Sequence, residues 1–320
     1  MGAAAGAGRG LSLGIDIGGT KAHGIVLDGA DRVLADHVLP TEPTGAGVRR
    51  TVLAVADGLA AALGVPATEF TSVGLGIPGL VDHRAGVVRT AVNLQITHTD
   101  LAALLADDFP VAVRLENDVK ATALGASLTL GRGARDLAYV NVGTGLAAAA
   151  VSNGRLVRGT RNGAGEIGHL AVDPGGEPCG CGQRGCLETV LGGGYLNRRL
   201  RAAGLTLDRL GDDPGPLAAA ERQRMVSALC TALTLVGIAY DSASVVLGGG
   251  VLRVAEWLLP AVSAELRTRA AGSPFLAGLA VADRLAELPS GLPVAAVGAA
   301  VVGRKKELRA RVSGEVLVGG

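Results

Sequence analysis

Aromatic residues are scarce in this chain: three Phe, three Tyr and one Trp among 320 residues, 2% of the total. Surfaces that hold single-stranded nucleic acid offer rings for bases to stack on, and duplex-binding surfaces need clustered Lys and Arg. Here 30 basic and 29 acidic residues nearly cancel, leaving a formal net charge of +1. No nucleic-acid partner is expected. Long uninterrupted hydrophobic runs are also missing. The opening MGAAAGAGRG carries no apolar core of the signal-peptide kind, and residue 6 is Gly where a myristoylation motif wants Ser or Thr. The most apolar stretch, MVSALCTALTLVGIAY at 225–240, is bounded by Arg224 and Asp241 and interrupted by polar residues, so it reads as a buried helix and not a membrane span. With four cysteines, the chain suits a reducing compartment, and the expected location is the cytoplasm, with no membrane partner.

What is present begins with length and apolar content, 48% over 320 residues, enough for two packed cores. Three of the four cysteines fall in one Gly/Pro-rich stretch, GAGEIGHLAVDPGGEPCGCGQRGCLE at 163–188. His169, Cys179, Cys181 and Cys186 there supply the soft, tetrahedral donor set of zinc. A disulfide is the competing use, but it consumes two thiols and strands the third. Glu166 and Glu188 are hard oxygen donors that such a site does not need, and they are free to face a ligand. The fourth cysteine, Cys230, reads as a small buried hydrophobe in the apolar helix.

Three short strands open the chain at 11–17, 21–27 and 32–39, the last two joined by the turn signal Asp28-Gly29. A helix over 46–63 follows, with Gly64 as its stop, then strands at 72–78 and 111–117. The three-strand order then repeats at 137–143, 146–152 and 155–159, with Asn153-Gly154 in the place of Asp28-Gly29. A repeat on this scale implies an α/β chain of two similar lobes facing each other across a cleft. Further helices are expected over 192–203 and 216–240, then a strand SVVLGGG at 244–250, a helix from 251 and a C-terminal helix that is basic in its second half. Residues 270–292 resist division, and 204–216 reads as an exposed loop.

Each repeat places a Gly/Thr turn after an apolar strand: Gly18-Gly19-Thr20 in the first, Gly143-Thr144-Gly145 in the second. Bare backbone N–H groups in such turns approach anions closely, although a single turn of this type is also an ordinary hairpin. The pair points to polyphosphate held between the lobes, with Asp16 and Lys21 flanking the first turn for Mg²⁺ and for phosphate charge. Gly248-Gly249-Gly250, between a strand and a helix, is either a plain turn or a nucleotide contact. Asn117-Asp118 opens a helix after a strand, which suits an N-cap and equally a general base for phosphoryl transfer.

Taken together, DIGGTK at 16–21, ENDVKATALGA at 116–126, the 143–145 turn, GAGEIGH at 163–169, CGCGQRGCLE at 179–188 and VLGGG at 246–250 resemble the ROK family of sugar kinases and related repressors, in the actin/hexokinase-like ATPase superfamily. The resemblance covers most of the chain. It implies two ribonuclease H-like lobes, a smaller one over 1–116 and a larger one over 117–296, with a C-terminal helix near 297–313 packing back on the first. It implies an ATP- and Mg²⁺-dependent kinase with a structural zinc, acting on a hexose, glucose first, usually at the C6 hydroxyl. Kinases for amino- or N-acetyl-hexoses (glucosamine, kanosamine, N-acetylglucosamine or N-acetylmannosamine type) are the nearest alternatives, and a non-catalytic sugar-sensing regulator is the alternative of another class. In such regulators a DNA-reading helix-turn-helix precedes the core, whereas here about ten residues precede the first strand.

Position by position, the resemblance makes Asp118 the catalytic base and assigns Asn117, Glu166, His169 and Glu188 to sugar hydroxyls, with Gly79 and Asn93 contacting the sugar from the smaller lobe. Asp16, Gly18, Gly19, Thr20 and Lys21 match the first phosphate loop, Gly143, Thr144 and Gly145 the second, and Gly248, Gly249 and Gly250 the nucleotide turn. Zinc falls to His169, Cys179, Cys181 and Cys186, with the second ring nitrogen of His169 left for substrate. A homo-oligomer, dimer or tetramer, is also implied. Four departures stand out: 93–97 reads Asn-Leu-Gln-Ile-Thr where a Trp usually closes the segment, Lys120 replaces a frequent Asn, Ala126 a frequent Glu, and the second phosphate turn continues Leu146-Ala147-Ala148 in place of a Gly-rich run.

Overall fold

The threefold strand motif does recur, as two sheets of identical topology. The structure, a computed structural model, describes residues 10–131, 135–288 and 291–304. In chain-order labels, the first sheet contains β1 (Leu11–Ile17), β2 (Lys21–Leu27), β3 (Val33–Pro40), β4 (Phe70–Ile77) and β8 (Val113–Asn117), in the order β3-β2-β1-β4-β8. The second contains β9 (Leu137–Val142), β10 (Leu146–Ser152), β11 (Arg155–Val157), β12 (Ser244–Gly248) and β13 (Leu285–Glu287), in the order β11-β10-β9-β12-β13. In each, two antiparallel pairings lead into parallel ones, so the carboxyl ends of β1, β4 and β8 lie side by side.

Both faces of β1 are covered, which is why LSLGIDI reads as a nearly continuous apolar run while edge strand β3 alternates. One face meets α1 (Gly45–Leu63), whose Val48, Val52, Val55 and Leu59 are fully buried. The Thr44 side chain accepts from Gly47 N at 3.3 Å to start that helix, and Gly64, in the left-handed region at φ 68°, ends it. Each such side chain removed from water contributes roughly 1.5–3 kcal/mol before entropy is counted. The other face meets α10 (Val294–Gly303), which forms a core with Ile25 and Leu27 through Ala296, Val297 and Ala300. The approach is backbone to backbone: a Cβ on Gly74 would lie 1.9 Å from Ala299 O, and one on Gly14 2.2 Å from Ala296 O. The opposite side of α10 packs on α3 (Asp118–Thr129), where the same test at Gly298 gives 1.7 Å to Ala121 O.

The larger core gathers under the second sheet around α6 (Pro216–Tyr240), which buries Met225, Leu229, Leu233 and Val236. Among the described residues this is the one helix long and apolar enough to cross a membrane by length and composition. Several expectations need correction. A three-stranded sheet, β5 (Leu80–Asp82), β6 (Val87–Ala91) and β7 (Ile96–Asp100), and a short helix α2 (Leu101–Leu104) occupy a stretch to which the sequence assigned no element. The helix expected from 251 breaks into α7 (Gly250–Val254) and α8 (Leu258–Ala271). The undivided stretch holds α9 (Pro274–Leu279) and β13. The 204–216 loop is anchored, since Leu210 is fully buried. The basic half of the C-terminal helix, from 305 onward, lies outside the described residues.

Candidate active site

Between the two sheets lies a cavity of about 1030 Å³. Asp16 sits near the end of β1 opposite Gly76 of β4, and Ile77 of β4 lies opposite Asn117 of β8, so Asp16 and Asp118 flank one strand at its carboxyl end. The first glycine turn closes through Gly18 N donating to Lys21 O at 2.9 Å. Asp16, Gly18, Thr20, Lys21, Asp118, Gly248 and Gly249 all line the cavity.

Asn117 and Asp118 divide the two roles that their sequence left open. Asn117 is the N-cap of α3, its side-chain oxygen accepting from Val119 N at 3.1 Å and Lys120 N at 3.2 Å. Its amide donates to Gly79 O at 3.1 Å and to Asp118 Oδ1 at 3.0 Å. Val119 N also donates to Asp118 Oδ1, at 2.9 Å, leaving Oδ2 outside this pair of bonds. Burial pushes the Asp118 carboxyl up, the N–H of Val119 opposes it, and Glu166 adds to the rise. Asp16 is pushed up to about 7, first by burial and then by the charge of Asp118, against the pull of Lys21. Two carboxylates with one ammonium make a place where a divalent cation relieves repulsion.

Other expected residues lie outside this lining. Gly79, Asn93, Asn117, Glu166, His169 and Glu188 do not line it, nor do Gly19, Gly250 or the 143–145 turn. They connect to it nonetheless. Asn93 abuts the first turn, where a Cβ on Gly19 would come within 3.0 Å of the Asn93 Cβ. Gly249, at φ 111°, backs onto Val142 O at the start of the second turn. Glu188 Oε2 accepts from Leu146 N, just past that turn, at 3.1 Å. Thr97, at the end of the segment lacking the expected Trp, is exposed on β7.

The four soft donors converge: one ligand atom from each of His169, Cys179, Cys181 and Cys186 lies within 4.8 Å of the others. Cys181 Sγ and Cys186 Sγ are 3.7 Å apart, as are Cys179 Sγ and His169 Nδ1. A tetrahedron with metal–sulfur bonds of about 2.3 Å has edges of about 3.8 Å. The set fits zinc, and the four cysteines stand as free thiols in this arrangement. Nδ1 faces the sulfur cluster, so Nε2 is the His169 nitrogen left for another partner.

Sequence reading missed several polar groups. Lys120 is buried, its Nζ donating to Asn162 O at 2.6 Å, and Asn162 in turn donates to Val81 O at 3.1 Å. Arg158 Nε and Glu116 Oε2 form a 2.6 Å ion pair with the carboxylate 1% exposed. Tyr139, Asn141, Arg253, Glu256 and Glu287 line the cavity. Only Tyr139 and Asn141 left a signal, being two apart on β9 and therefore on one face, directly before the second glycine turn.

The sequence profile of the ROK family matches residues 12–300. The chain belongs to the ROK family. Among individual ROK proteins, a glucokinase of Halalkalibacterium halodurans is 34% identical over 183 residues, covering 56% of this chain and 55% of that protein. The chain thus spans a little over half the length of that curated relative in the aligned region. Solved structures match more completely. A ROK hexokinase from Thermus thermophilus has a TM-score of 0.77 at 32% identity, covering 92% of this chain and 97% of the other. A ROK glucokinase from Streptomyces griseus, in complex with glucose and AMPPNP, has a TM-score of 0.73 at 27% identity, covering 93% and 100%. The two-lobed ROK fold is therefore that of actin-like ATPases.

Proposed function

We propose that this ROK protein is an ATP-dependent hexose kinase that moves the γ-phosphoryl group of ATP onto a sugar hydroxyl, with glucose and its C6 hydroxyl as the first acceptor to test. One observation carries the reading: Asp118, at a helix start, and the turn flanked by Asp16 and Lys21 open into one cavity from the carboxyl ends of two parallel strands on either side of β4. Similarity to a glucokinase that holds glucose and AMPPNP supports it.

In this reading Asp118 accepts the proton of the attacking hydroxyl, while the Asn117 amide and Val119 N–H hold its other oxygen in place. Lys21 and the N–H groups of Gly19 and Thr20, left over from the bond of Gly18 N to Lys21 O, face the donor phosphates. Asp16 is the residue that would hold Mg²⁺, which would supply charge neutralisation to the donor phosphates. Asn117, Glu166, His169 and Glu188, with Gly79 and Asn93 from the other side, are assigned to sugar hydroxyls, and the 143–145 and 248–250 turns to the nucleotide. His169, Cys179, Cys181 and Cys186 would hold a structural zinc that orders a stretch too rich in Gly and Pro to order itself. Rate acceleration then comes from alignment and preorganised charge. Lobes divided near residue 117, a homo-oligomeric state and a cytoplasmic location complete the proposal.

ADP release, coupled to an indicator reaction, across a panel of hexoses, amino-hexoses and N-acetyl-hexoses is the deciding assay. Release that depends on glucose is expected. A preference for an amino- or N-acetyl-hexose would reassign the acceptor, and no sugar-dependent release at all would sink the kinase reading.

A further inference from the structure

The zinc-site stretch and the second glycine turn are physically joined. Cys186 precedes α4 (Leu187–Leu191) as its N-cap residue, and Glu188 stands in the first turn of that helix. Glu188 Oε2 accepts the N–H of Leu146 at 3.1 Å, and the main-chain oxygen of Glu188 accepts from Gly192 N at 2.8 Å. Immediately beyond, α5 (Gly193–Ala202) begins. Its first N–H groups have no partner within the helix. Gly193 N donates to Gly143 O at 2.8 Å, and Gly194 N to Thr144 O at 3.2 Å. Gly145 O accepts from Gly143 N at 3.0 Å. All three carbonyls of the turn are thus taken from within the protein, so the turn is held with its remaining N–H groups available to an anion. Gly145 is also the spot where a side chain would strike the carboxylate, a Cβ there lying 2.4 Å from Glu188 Oε2.

We propose that Glu188 is a positioning residue for the phosphate donor, through its bond to Leu146 N, in addition to being a ligand for the acceptor sugar. The inference rests on the kinase reading above. One carboxylate oxygen is committed to the turn and the other is left for a sugar hydroxyl, so a single rigid group joins the two substrate sites. Fixing the carboxylate from the sugar side fixes the turn, and the effect is reciprocal between the two ligands. The zinc-site stretch, two residues upstream, sets the position of α4 and so feeds into the donor site as well as the acceptor site.

Calorimetric titration of the full-length, zinc-loaded protein with MgAMPPNP, with and without the preferred hexose of the panel, tests this. In the wild type the sugar should tighten MgAMPPNP, and MgAMPPNP should tighten the sugar by the same factor. Glu188→Gln keeps an oxygen for Leu146 N, so sugar-free nucleotide affinity should stay within about threefold, while Glu188→Ala should weaken it about tenfold and abolish the coupling. Gly145→Ala, which displaces the carboxylate while leaving it in the chain, should behave like Glu188→Ala and decides the matter should that variant not fold. Unchanged sugar-free nucleotide affinity in the alanine variants, with sugar binding lost, would overturn the proposal and leave the kinase reading standing. A wild type that binds neither ligand would remove the kinase reading itself.

Discussion

Replacing Asp118 by Asn is the sharpest perturbation the site offers, because it alters one function and little else. Asp118 Oδ1 accepts from Asn117 Nδ2 at 3.0 Å and Val119 N at 2.9 Å, and an Asn side-chain oxygen can accept both bonds unchanged. What the substitution removes is the second oxygen, replaced by an NH₂ group that cannot take a proton. Positioned general bases contribute about 10²–10⁴-fold, so kcat should fall by about 10³-fold, equivalent to about 4 kcal/mol of barrier. The KM for ATP should stay near the wild-type value, since Lys21 and the glycine turn are untouched. Folding should not suffer either. The Asp118 carboxyl titrates above its ordinary range because it is buried, so ionising it costs the folded state stability as pH rises past the unfolded value, and Asn carries no such cost. Steady-state kinetics with the preferred hexose, together with thermal melts at several pH values, would measure all three. The wild type should lose kcat/KM as pH falls through the raised pKa of Asp118, and the variant should show no such limb. A variant that turns over within about tenfold of wild type, against the 10²–10⁴ expected of a base, would refute the assignment.

Asp16 supplies a second pH signature: with its carboxyl raised from 3.8 to about 7, the folded chain keeps a proton that the unfolded chain has lost, so stability should decline as pH rises between these values. Asp16→Asn should flatten that decline in melts without Mg²⁺ and abolish MgATP-dependent turnover; parallel slopes for both proteins would contradict the burial argument. Purified protein should contain one zinc per chain by metal analysis, and Cys181→Ser, which removes the exposed ligand, should lose it and melt at a lower temperature. Truncating the ion pair on one side, as in Arg158→Met, should cost about 3–5 kcal/mol in denaturant unfolding because Glu116 is left charged and buried, while the double variant with Glu116→Gln should recover much of it.

Legibility in the sequence followed the range of the interactions. Strands buried on both faces, such as 11–17 and 146–152, appear as apolar runs, and the 46–63 helix shows both its periodicity and its stop. These are local patterns. The small sheet β5-β6-β7 was invisible because its strands are three to five residues long and largely exposed. The break between α7 and α8 has a mark that sequence reading passed over: Pro260, in the first turn of α8, has no N–H to donate back to Glu256, so one helix cannot run unbroken from 251. At the site, glycine turns and the Cys/His spacing are short motifs that the eye can find. Arg158 and Glu116 are 42 residues apart and Lys120 meets Asn162 across a similar distance, so nothing local announces either contact. The same holds for Arg253, Glu256 and Glu287, which reach the cavity only because β12 lies beside β9 and β13 beside β12.

The seat of α10 across β1 and β4 also governs how the molecule can be made. Ile25 and Leu27 have their partners in Ala296, Val297 and Ala300, so one side of the first sheet stays uncovered until the chain has grown by more than 270 residues. Domains often complete themselves one after another as they leave the ribosome. Here the first-synthesised half closes last. Long-range closure of this kind is slow and leaves apolar strand surface open in the interim. A growing chain of this protein therefore carries its greatest aggregation hazard at its beginning, and a truncation that removes Val294–Gly303 should strip the first sheet of its second wall and also take Val294 and Val301 from the core behind the second sheet.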